Sequence, residues 1–182
     1  MSKATRFITL GTIKVGGVSH EDLIRQARKR GDVEITPWAQ EIHEKTEPLL
    51  NRHSLEVVAV RLRLDLPVKS KDKNLKPLYE EAFEHGLSLC PTAVALEMLF
   101  QKRNGFAGQT HLAMKPVACT AEELGHQQKN ILSIMDKKSP WGPMRSLNGT
   151  HGDLESFMDG GMTYLFCVAN DVLRIKGYTS LV

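Results

Sequence analysis

The absences in this chain narrow its possible functions before any motif is considered. It holds three cysteines, Cys90, Cys119 and Cys167, and none forms a CxxC pair. An odd number cannot all pair internally, and 182 residues are too many for a disulfide-stapled scaffold. Reduced thiols in a cytoplasmic protein are therefore expected. No apolar run approaches the ~18 residues of a membrane helix, and the stretch before Gly11 is too short for a signal peptide, so no membrane contact is expected. Neither sign of charge dominates. The 24 Lys and Arg against 21 Asp and Glu leave +3, far from the footprint of a dedicated nucleic-acid binder. Catalytic signatures are missing too. Seven histidines, at 20, 43, 53, 85, 111, 126 and 151, lie scattered without HxxxH or HExxH. Cys119 and His126 are seven apart, but no second pair completes a zinc site. The glycine-rich GTIKVGG at 11–17 lacks the GxGxxG spacing and the Lys-Ser pair of a phosphate loop. No metal or cofactor is expected.

What is present reads as one ordinary folded unit, 41% hydrophobic and 25% charged. Phe7 to Leu10 suggests a short strand. Ser19 offers an N-cap with Asp22 three residues on, Leu23, Ile24 and Ala27 form an inner face, and Gly31 stops that helix. Thr36 and Pro37 open a second helix, with Trp38 and Ile42 on its buried stripe. Leu55 to Leu66 alternates as a strand up to Pro67. Pro77 opens a helix closed by Gly86, Pro91 starts another, and His111 to Val117 reads as a strand. Thr120 and Glu123 suggest a brief capped helix, and Ile131–Met135 and Tyr164–Ala169 suggest strands. The stretch PWGPMRSLNGTHGD, rich in Gly, Pro and Asn, reads as irregular. Residues 1–182 are thus expected to form one α+β domain. Its sheet is mainly antiparallel with helices packed on one face, and a long irregular loop lies around 137–161.

Several of these segments also occur together elsewhere. GLSLCP at 86–91, the apolar helix after it and LAMKPV at 112–117 resemble the motifs of a widespread family of small bacterial proteins. In that family an LGT opening, a helix with a tryptophan-containing segment, a GLELCP-type motif and an IAMEPI-type strand recur in the same order. The counterparts here are Leu10-Gly11-Thr12, Trp38-Ala39, the residues around Cys90 and the strand around Met114. The likeness spans residues 8–118, and Lys115 stands where the family commonly has an acid. The family has no established activity, so the resemblance implies a shared fold and a bacterial or mobile-element origin, without chemistry.

Two groups of residues carry the candidate functions. Cys90 precedes Pro91 at a helix start, where unpaired N–H groups and the helix dipole lower a thiol pKa. A cysteine-dependent hydrolase or transferase would use Cys90 as nucleophile and His111 as base, with Asp153 or His151 of the late loop as further candidates and the orienting group unidentified. The plainer expectation is a buried thiol between apolar neighbours. The second group is basic: Arg25, Arg28, Lys29 and Arg30 on one helix, and Arg61, Arg63, Lys69, Lys71, Lys73 and Lys76 further on. These would neutralise phosphates in a weak nucleic-acid binder, although no aromatic residues interleave with them for base stacking. The favoured expectation is a non-catalytic cytoplasmic module that acts by binding a protein or other macromolecule.

Overall fold

The computed structural model describes residues 5–46, 49, 51–62, 75–100, 109–121, 126–140, 142–152, 162–173 and 175. In chain order these form β1 (Thr5–Val15), α1 (His20–Arg30), β2 (Val33–Ile35), α2 (Pro37–Glu44), β3 (His53–Leu62), α3 (Leu75–Glu84) and β4 (Leu87–Ser88). Then come α4 (Ala93–Phe100), β5 (Gln109–Leu112), β6 (Val117–Ala121), β7 (His126–Ser139), β8 (Gly142–His151), β9 (Thr163–Val168) and α5 (Ala169–Leu173). No helix among the described residues is long and apolar enough to cross a membrane.

The strands make one sheet in the order β1-β3-β9-β5-β7-β8-β2, with β4 added to β9 and β6 to β7. The β5–β9 and β2–β8 pairs are parallel and the others antiparallel, so the fold is α+β with a mainly antiparallel sheet. Register assigns the faces, because paired residues point the same way and successive ones point oppositely. One face carries Val57 opposite Cys167, Leu112 opposite Leu165, and Ile134 opposite Leu147. The other carries Val58 opposite Phe166, and Val60 and His111 opposite Tyr164.

Helices α2 and α4 lie over the first face. Trp38 of α2 stands against Gly149, and Arg145 reaches the Met98 carbonyl of α4 at 3.2 Å. Seven of the eight α4 residues are buried, from Ala93 to Leu99, because α4 crosses the sheet and touches β1, β7 and β8 while α1 packs on it. Tyr79 of α3 is set edge-on to Phe166 and Tyr164, so α3 covers part of the second face.

The caps that position α1 and α2 are legible in the sequence. Ser19 Oγ accepts from the Asp22 N–H at 3.1 Å, and Gly31 closes α1 in the left-handed conformation at φ 71°. The Thr36 hydroxyl accepts from the Ala39 N–H at 3.3 Å, with Pro37 in the first turn. Each such cap contributes about 1 kcal/mol. Arg30 then fastens the end of α1. Its guanidinium forks onto Asp32 at 2.9 and 2.8 Å and lies 5.6 Å from the Phe100 ring centroid.

Several expectations need correction. The irregular segment is instead strand: β8 occupies Gly142–His151 and pairs with β7 from Asn130 to Ser139, while 153–161 lie outside the described residues. Gly149, which reads as a loop residue, is required inside the strand, because a Cβ there would meet Trp38 Cβ and Cγ at 3.0 Å. Thr120 belongs to β6 and so caps no helix. Strand β7 also runs well beyond the expected Ile131–Met135.

Candidate functional site: a cleft between the first two helices

The thiol site expected around Cys90 does not assemble. Helix α4 starts at Ala93, with short-range bonds from Val94 to the Pro91 carbonyl and from Ala95 to the Thr92 carbonyl. Cys90 therefore lies before the cap, and its N–H is spent on the Ala113 carbonyl at 2.7 Å. Its Sγ is 3.4 Å from the Leu165 carbonyl oxygen and 2.9 Å from Cys167 Sγ. Burial, followed by the neighbouring Cys167, pushes its pKa well up, which is the reverse of activation. His111 sits elsewhere: its ring stacks on Tyr164 with centroids 5.1 Å apart. Cys167 and Tyr164 point to opposite faces of β9, so the sheet itself separates Cys90 from the proposed base. Burial holds His111 at about 4, and its ring nitrogens meet no protein partner among the described residues. The backbone of His151 lies in β8 and Asp153 is outside the described residues.

The motifs that carry the family resemblance have structural work to do. Leu10 is the extra residue of a bulge in β1, where the register with β3 shifts between Thr9 and Gly11, and Gly11 has φ 98°. GLSLCP supplies β4 and the Cys90–Ala113 tie to LAMKP.

The described residues do form a cleft elsewhere, of about 730 Å³, between α1 and α2. From α1 it is lined by Ser19, His20 and Glu21 in the first turn and by Arg25, Arg28 and Lys29 further along. From α2 and the residues just past it come Gln40, His43, Glu44 and Thr46. Helical spacing explains the juxtaposition. Ala39 and His43 are i and i+4, so His43 shares the inward face of α2, and it is 1% exposed. His20 is the first residue of α1, where its Nδ1 donates to the His43 carbonyl at 3.0 Å. The two rings meet edge-to-face with centroids 4.8 Å apart. Among the described residues, His20 Nε2 and both ring nitrogens of His43 are buried without a protein hydrogen-bond partner. Burial lowers the His20 pKa, and burial together with the His20 charge takes His43 down to about 3. Both rings are neutral at pH 7.

The basic rim is partly engaged. Arg25 pairs with Asp22, and Arg28 donates to Gln40 Oε1 at 2.6 Å, bridging the helices across the cleft. Lys29 makes no ion pair among the described residues. Arg25 and Arg28, expected as phosphate contacts, are thus brought together here. Arg61 lies in β3 opposite Arg6 and Thr163, and Arg63, Lys69, Lys71 and Lys73 fall outside the described residues. The histidine pair was not among the expected site residues. Twenty-three positions separate the two, and only the i, i+4 relation of His43 to Ala39 marks one of them as inward-facing.

Neither the protein-family models, nor the curated proteins, nor the solved structures contain a match to this chain.

Proposed function

We propose that this chain is a non-catalytic binding module of the bacterial cytoplasm, and that it engages an anionic macromolecule, nucleic acid, through the α1–α2 cleft. One observation carries the reading: three cationic side chains rim a cleft whose floor holds two buried, neutral histidines with unsatisfied ring nitrogens. Buried polar groups are almost always paired, so orphans lining a cleft point to a ligand that completes them. The absence of a base beside Cys90 among the described residues argues against the cysteine-dependent hydrolase or transferase, and three free, buried thiols fit a reducing compartment. The resemblance of residues 8–118 to small bacterial proteins supports the bacterial assignment.

The test is retention of a single-stranded oligonucleotide as a function of salt. Arg25→Glu together with Arg28→Glu should weaken binding and flatten the slope of log K against log salt by about 1.4, at about 0.7 per lost phosphate contact. An unchanged slope with a folded variant would remove this reading. A protein partner is the second reading, favoured by Phe7 and Ile8, which stand 36% and 38% exposed on edge strand β1.

A further inference from the structure

The cleft's floor is short of donors. The His43 carbonyl can only accept, so His20 Nδ1 carries the hydrogen and its Nε2 is left as an unsatisfied acceptor. His43, neutral and with both nitrogens unpartnered, adds one donor and one further acceptor. An anion offering only oxygen lone pairs would satisfy the single donor and strand two buried acceptors. The rim carries Arg25, Arg28 and Lys29 against the carboxylates of Glu21 and Glu44, and Asp22 engages Arg25, so Arg28 and Lys29 are the cations left to meet an anion. The first turn of α1 contributes its positive end as well. A ligand that answers the charge and relieves one of the two acceptors is an oxyanion that still carries a proton.

We infer that the floor of the α1–α2 cleft is a subsite for a terminal phosphate monoester bound with a P–OH group, the hydroxyl donating to a histidine nitrogen while the charged oxygens face Arg28 and Lys29. This rests on the cleft being the contact site. It goes further by excluding the backbone phosphodiester from the floor, since a diester has no hydroxyl to give. A nucleic acid would therefore be held by its phosphorylated end.

Inorganic phosphate, which carries a P–OH at neutral pH, is the probe, and sulfate, which carries none, is the control. Titration of the folded protein should shift the imidazole ¹⁵N resonances of His20 and His43 with phosphate. Sulfate should bind about tenfold or more weakly, because a buried acceptor left unpaired costs at least about 1.4 kcal/mol. A 5′-phosphorylated oligonucleotide, whose terminal phosphate takes up its second proton from solvent near pH ~6, should bind more tightly than its 5′-hydroxyl twin, and by a wider margin at pH 6 than at pH 7.5. Arg28→Ala on the surface should weaken phosphate without unfolding the chain. Equal binding of phosphate and sulfate, or phosphate binding that leaves both histidine signals unmoved, would overturn the inference. The two readings fail separately. Salt-dependent oligonucleotide binding with indifference to the 5′-phosphate sinks only the subsite, whereas phosphate selectivity without oligonucleotide retention sinks only the nucleic-acid reading.

Discussion

His43 and His111 are both almost wholly buried, one against α1 and the other against Tyr164, and burial acts on each in the same direction. His43 is held at about 3 and His111 at about 4, whereas an unfolded chain titrates its imidazoles near ~6.5. The folded values lie below the unfolded ones, so the unfolded chain binds more protons across that window. Stability is then fully present above about pH 6.5 and is lost as pH falls toward the folded values. At pH 5 each histidine has withdrawn about 2 kcal/mol relative to pH 7, because roughly 1.5 pH units separate pH 5 from the unfolded value at 1.36 kcal/mol each. The pair together withdraws about 4 kcal/mol, out of the 5–15 kcal/mol typical of a domain. Glu97 works with the opposite sign, since burial raises its pKa and the folded state then takes up its proton, and it offsets a part of the loss. Urea melts at pH 7, 6 and 5 measure the effect directly. With a slope near 2 kcal/mol/M, the midpoint should fall by up to about 2 M, most of it below pH 6. His111→Phe, which keeps an aromatic ring against Tyr164, should remove about half of the pH dependence. A midpoint flat from pH 7 to 5 would show that neither imidazole is buried neutral. A full dependence surviving in His111→Phe would place the titrating group elsewhere.

Other perturbations test separate parts of the fold. Gly149→Ala should destabilise by about 1–3 kcal/mol, because the added Cβ would press on Trp38 at 3.0 Å and push α2 off the sheet; an unchanged urea midpoint refutes that packing. Trp38→Ala should cost about 2–3 kcal/mol, below the range for a fully buried tryptophan because the ring is only partly covered. Cys90, Cys119 and Cys167 are all buried, and in the native state at about pH 8 each should react with iodoacetamide at least about a hundredfold more slowly than free cysteine. Rapid alkylation of Cys90 alone would revive the nucleophile.

Local chemistry made much of the fold legible. The Ser19 and Thr36 caps, Pro37 in a first turn and Gly31 at a helix end are decided within a few residues, and they stand where their types predict. Strand β8 was illegible for the opposite reason. Its Gly, Pro and Asn residues favour turns locally, and only pairing with β7 and the seat of Trp38 on Gly149 make it a strand. The Cys90 site was misplaced because sequence order puts the thiol beside Pro91, while the face of β9 that it meets depends on register. The histidine pair depends on how α1 and α2 are laid together, which no spacing within either helix encodes. The arginines of the cleft were legible because charge at the end of a helix is visible in one dimension.

The bulge at Leu10 has a consequence for how molecules of this protein meet one another. Strand β1 ends the sheet, and its outer backbone groups form a template onto which an extended chain can pair. With the pairing rhythm broken between Thr9 and Gly11, the regular run from Thr5 ends after five residues. That is long enough to clasp one short guest strand and too short to seed a long edge-to-edge ladder, so a single inserted residue limits how far pairing at this edge can extend.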